Sequence, residues 1–99
     1  MQIRDSEAKQ YNRVLQAKGE EGMYQYIISN GFMNYSDVRH PELDLLSAAE
    51  GFFELYRRSE KEEFYIIGRI LRRAAHKLYR LYLKMDPNRR INERFLNLI

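Results

Sequence analysis

The sequence predicts an all-α fold: a compact bundle of about four to five helices, with an antiparallel hairpin formed by the third and fourth. Three observations lead there. Apolar residues recur at three- and four-residue spacing in successive stretches, Gly and Pro punctuate the ends of those stretches, and no run shows the strict alternation of a half-buried strand. The chain is 99 residues long, enough for one domain, residues 1–99, burying roughly 60 to 70% of its unfolded surface around a single core. Its 44% hydrophobic and 31% charged content is that of an ordinary globular chain, not of a disordered one.

The first helix begins at Asp5 or Ser6, whose side chains can accept hydrogen bonds from the free amides of a first turn. Tyr11, Val14, Leu15 and Lys18 follow at helical spacing as far as Gly19, a narrow stripe that predicts a surface helix. The second, EEGMYQYIISNG, gathers Met23, Tyr24, Ile27 and Ile28 on one side and has Gly31 placed to end it. FMNYSDVRH then loses the period and reads as a loop, in which the Asn34-Tyr35-Ser36 triplet is turn chemistry.

Pro41 suits the first position of the third helix, where its missing amide is no loss. Leu45, Leu46, Ala48, Ala49, Phe52, Phe53, Leu55 and Tyr56 cover about half the circumference of that helix, which marks it as the centre of the core. SEKE at residues 59–62 is a capping-box pattern opening a fourth helix that runs to about Met85. So short a link makes the third and fourth helices antiparallel neighbours, and Gly51 and Gly68, nearly equidistant from it, are placed to face one another. Asp86 and Pro87 repeat the start signal for a short terminal helix carrying Ile91, Phe95 and Leu98.

KMDPN, with Ala75, Tyr79 and Pro87, resembles the end of a tetratricopeptide repeat. The turn expected midway would fall near Ile70 and Leu71, inside the fourth helix, and no second copy follows at the period such repeats need, so the repeat reading is rejected.

Absence of cysteine excludes disulfides, thiolate metal sites and cysteine nucleophiles. The polar start MQIRDSEAKQ lacks the basic end and apolar run of a secretory signal, and no apolar stretch approaches the roughly 20 residues that span a bilayer. A cytoplasmic location is expected. Neither His40 nor His76 belongs to a metal-binding spacing, and no nucleophile elbow or glycine-rich phosphate loop occurs. Glu50, Glu54, Glu60, Glu62 and Glu63 could supply an acid/base pair only if burial split their pKa values, and a solvated face explains them better. Glu54 precedes Arg57 and Arg58 at the spacing of an exposed ion pair. No enzyme, metal or cofactor is assigned.

Charge is the most informative feature. The net charge is +3, yet residues 1–50 hold five basic and eight acidic side chains while residues 51–99 hold twelve and six. In IGRILRRAAHKLYRLYLK, residues 67–84, six cations occur with no acid. At about 100° per residue, Arg69, Arg72, Arg73, Lys77, Arg80 and Lys84 fall within about 140° of the helix, together with His76. Ile67, Ile70, Leu71, Ala74, Ala75, Leu78, Leu81, Tyr82 and Met85 take the opposite side. The three glutamates near its start and the cations of its later turns both suit the helix dipole.

Six like charges over about 24 Å of helix repel one another. Either acids from elsewhere in the fold neutralise them, leaving an ordinary solvated face, or the stripe meets a partner. Arg69, Arg72, Arg73, Lys77, Arg80 and Lys84, continued by Arg89 and Arg90, are therefore the candidate binding residues. The leading partner is nucleic acid, RNA or DNA bound without strong sequence preference, with Tyr65 and Tyr79 at the stripe edges as candidates for base stacking. Sequence-specific reading fits less well, because the acidic PELD would be presented to the groove. The alternative is an acidic protein partner or self-association, for which Tyr24, Tyr26, Phe32 and Tyr35 supply aromatic anchors. A membrane-surface helix ranks last, since the apolar face is needed for the core.

Overall fold

The structure, a computed structural model, describes residues 3–30 and 41–85. They form three helices and no strand: α1 (Asp5–Asn30), α2 (Pro41–Ser59) and α3 (Glu62–Met85). The expected third and fourth helices are α2 and α3. The expected first and second are joined in α1, so the described residues hold three helices and not four or five. Gly19 is nevertheless a real discontinuity, since its φ of 74° and ψ of 177° kink α1 where the sequence places a boundary. Helix resumes at the next residue because Glu20 and Glu21 supply favourable charge for a new first turn. The loop at residues 32–40 and the terminal segment with Arg89 and Arg90 lie outside the described residues.

Helix α3 packs on both α1 and α2 and is the central element, a place that the breadth of the apolar arc suggests for α2, which is nonetheless deeply buried on one face. Leu45, Leu46, Ala48, Ala49 and Phe52 are all 0% exposed, as the breadth of the apolar arc predicts. Glu42 is also fully buried, in the first turn of α2, where the helix dipole favours a carboxylate. Phe52 stacks edge-on against Tyr11 of α1 at 4.8 Å and lies 5.9 Å from Phe64 of α3, so one ring joins all three helices. Helix α1 is more than a surface helix: Ala8, Tyr11 and Leu15 are buried, as is Ile3 just before it, and past the kink so are Met23, Tyr24 and Ile27.

The link between α2 and α3 is Glu60 and Lys61, and its chemistry differs from a capping box. Ser59 Oγ donates to the Leu55 carbonyl at 2.7 Å and accepts the Lys61 amide at 3.4 Å. Ser59 therefore closes α2, because as the last residue of that helix it has the carbonyl four residues back within reach. Glu60 takes φ of 57°, and its amide donates to the Tyr56 carbonyl at 2.7 Å, a left-handed cap that turns the chain. Beyond it, Phe53 and Tyr56 of α2 meet Tyr65 of α3 with ring centroids 5.9 and 5.2 Å apart. The nearest neighbour of Gly68 across the hairpin is Phe53: a Cβ there would lie 2.7 Å from the ring.

On α3, Ile67, Ile70, Leu71, Ala74, Ala75 and Leu78 are buried, as the apolar face requires. Met85, assigned to the same face, is 80% exposed at the end of α3. The radius of gyration, 13.2 Å, is that of a compact globule. No helix among the described residues is long and apolar enough to cross a membrane.

Candidate functional site

The apolar face of α3 is held by the core, which turns its cations outward. Arg69, Arg73, Arg80 and Lys84 are exposed, whereas Arg72 and Lys77 are half-buried. Where α3 passes α1 the surface sinks into an open groove of about 670 Å³. Arg69, Arg72, Arg73 and Arg80 line it together with His76 and Ile70 of α3, and Glu20 and Glu21 of α1 form the opposite wall. Four of the predicted binding residues are thus brought to one groove. Lys77 and Lys84 are not part of its lining, and Arg89 and Arg90 lie outside the described residues.

Aromatic rings hold the arginines in place. The Arg73 guanidinium lies over Tyr24 of α1 at 3.6 Å from the ring centroid, Arg72 over Phe53 of α2 at 5.5 Å, and Arg69 over Tyr65 at 5.8 Å. A guanidinium can stack on a ring and still use its in-plane N–H groups toward an anion, which a lysine ammonium cannot imitate. Gly68 contributes indirectly. With no Cβ, it lets the Phe53 ring rest against α3 beneath Arg72, one turn further on.

One arginine is already engaged by an acid. Arg73 Nη1 donates to Glu21 Oε2 at 2.8 Å, and Gln25 Nε2 donates to Glu21 Oε1 at 3.3 Å. The hydrogen bond from Arg73, followed by that from Gln25, holds the Glu21 carboxyl below its ordinary range, and the same bond raises Arg73. Both side chains remain open to solvent, 56% exposed for Arg73 and 66% for Glu21. Among the described residues, no acid lies within ion-pair distance of Arg69, Lys77, Arg80 or Lys84. Within the stripe, the Arg73 charge is met by an acid of α1.

No protein-family model, no curated protein and no solved structure matches this chain.

Both candidate stacking tyrosines are otherwise occupied. Tyr79 is only 7% exposed, turned into the core, and Tyr65, 37% exposed, already packs on Phe53, Tyr56 and Arg69. Of the suggested aromatic anchors, Tyr24 is buried beneath Arg73, Tyr26 is half-buried with the Lys18 ammonium 5.0 Å from its ring, and Phe32 and Tyr35 lie outside the described residues. His76 lines the groove, but its Nε2 is shielded from solvent and has no hydrogen-bond partner among the described residues. Among the described residues no group of three His, Cys, Asp or Glu side chains is placed to hold a metal ion.

The acids singled out for acid/base chemistry do not converge. Glu50, Glu54, Glu60 and Glu62 are exposed, and Glu54 pairs with Arg57 at 3.2 Å, which lowers its pKa through the hydrogen bond first and the charge second. Glu21 is the residue missed from sequence, and Tyr24 and Phe53, legible there as an anchor and an apolar-face residue, are not marked as supports of the arginines. Nothing local marks these roles, because each residue acts on one of another helix.

Proposed function

We propose that this chain is a non-enzymatic binding protein that contacts nucleic acid through the basic face of α3 and the groove it shares with α1. The observation that carries this reading is the convergence of Arg69, Arg72, Arg73 and Arg80 on one solvent-open groove, with their guanidinium groups steadied by Tyr65, Phe53 and Tyr24. Phosphates are the matching chemistry. Arginine offers forked donors to phosphate oxygens, and release of condensed counterions drives association. Such contacts read the backbone and not the bases, so binding is broad in sequence. A cytoplasmic setting suits a chain without cysteine.

Titration of labelled single-stranded RNA and of duplex DNA at two salt concentrations tests the reading. Affinity should fall steeply with salt, and an Arg69→Ala, Arg73→Ala, Arg80→Ala variant should lose about two units of the log–log salt slope along with most of its binding. Absence of binding at low salt overturns the proposal and leaves an acidic protein partner as the occupant to seek.

A further inference from the structure

The groove is not uniformly basic. Its α1 wall brings two carboxylates to the arginines, and one of them is bonded to the arginine in the middle of the row. Resting on the reading above, we propose that the phosphodiester backbone of the bound strand runs along Arg69, Arg73 and Arg80, meeting each with a different phosphate, and that Glu21 is a built-in competitor which the phosphate at Arg73 displaces.

Several features make Glu21 a displaceable occupant and not merely a neighbour. Its Oε2 takes the Arg73 Nη1 donor, the kind of donor a phosphate oxygen would use. The pair is exposed, so a ligand reaches it without any part of the core opening, and a surface ion pair is weak enough to exchange. Arg73 keeps its position when Glu21 leaves, because the Tyr24 ring 3.6 Å away still supports the guanidinium. The departing carboxylate retains Gln25 as a donor. The kink at Gly19, immediately before Glu20 and Glu21, lies where α1 meets the groove.

The competitor has a consequence for selectivity. A lone phosphate that replaces Glu21 exchanges one anion for another at Arg73, with little net gain. A strand that replaces it also engages Arg69 and Arg80, which have no internal acid among the described residues, and these linked contacts tip the exchange. The groove therefore discriminates in favour of polyanions over free phosphate.

The test compares Glu21→Gln with Glu20→Gln, which make the same charge change at adjacent positions in the groove wall, while only the first releases Arg73. Both are titrated with a labelled single-stranded RNA and with inorganic phosphate, after circular dichroism has established that each retains wild-type helix content. Glu21→Gln should tighten RNA binding by about threefold at low salt, because the phosphate that meets Arg73 in both proteins no longer has a carboxylate to displace, while the log–log salt slope, set by the number of phosphate contacts, stays at the wild-type value. Its affinity for inorganic phosphate should rise as well. Glu20→Gln should tighten RNA binding less and leave the slope at the wild-type value. Equal tightening by both variants, or an unchanged affinity in Glu21→Gln while the wild type binds RNA, overturns the competitor and leaves the RNA reading standing. Absence of RNA binding in all three proteins strikes that underlying reading itself.

Discussion

Gly19 shows how one residue positions a site. Its φ of 74° with ψ of 177° belongs to a region that residues with a Cβ scarcely occupy, and a Cβ there would meet nothing within 4 Å. Any penalty for substitution is therefore in the backbone. Gly19→Ala should lower stability by about 1–3 kcal/mol in urea denaturation, with no packing defect to account for it. Wild-type stability in that variant would mean that α1 can straighten freely. Glu60 is the counterpart at the other turn, a left-handed residue tolerated because its amide is bonded to Tyr56 and the two-residue link leaves no longer path. The sequence marks a boundary at both places and gives no sign that Glu60 takes the left-handed conformation.

Between elements, the contact of Gly68 with Phe53 ties the α2–α3 packing to the groove. Ala is the better helix former by about 1 kcal/mol, so Gly68→Ala would stabilise an isolated helix. Here the new methyl would stand 2.7 Å from the Phe53 Cε1 atom, and overpacking of this kind costs about 1–3 kcal/mol. The net expectation is destabilisation of about 1 kcal/mol, relieved when Phe53→Leu is combined with it, as a double-mutant cycle in urea would record. Stabilisation by the single change would show that the ring moves aside without penalty. A displaced ring would also remove the surface beneath Arg72, linking helix packing to the shape of the binding face.

Across the whole molecule, Phe52 is the point on which the three helices converge. It is fully buried, with Tyr11 on one side and Phe64 on another. Phe52→Ala should cost about 3–5 kcal/mol, a large share of the roughly 5–15 kcal/mol by which such folds are stable. All three helices should melt together earlier in circular dichroism. Loss of only part of the helical signal would show that α1 folds apart from the α2–α3 pair. The same packing brings an acidic wall to the basic stripe, so fold stability and the electrostatics of the groove are coupled.

Interactions within about one helical turn were enough to determine the helical class, the extents of α2 and α3, the burial of Leu45, Leu46, Ala48, Ala49 and Phe52, and the single charged side of α3, because period and punctuation are local quantities. Even the Glu54–Arg57 pair follows from spacing alone. Tertiary structure decided the rest. Glu21 and Arg73 are separated by 52 positions, and only the packing of α1 on α3 makes them partners. The same packing buries Tyr79, supports Arg72 and Arg73 on rings from other helices, and leaves Met85 in solvent. The sequence determined which face of α3 is charged; the arrangement of the helices decided that one of its arginines already holds an anion, because charge neutralisation depends on distance in space and not on position along the chain.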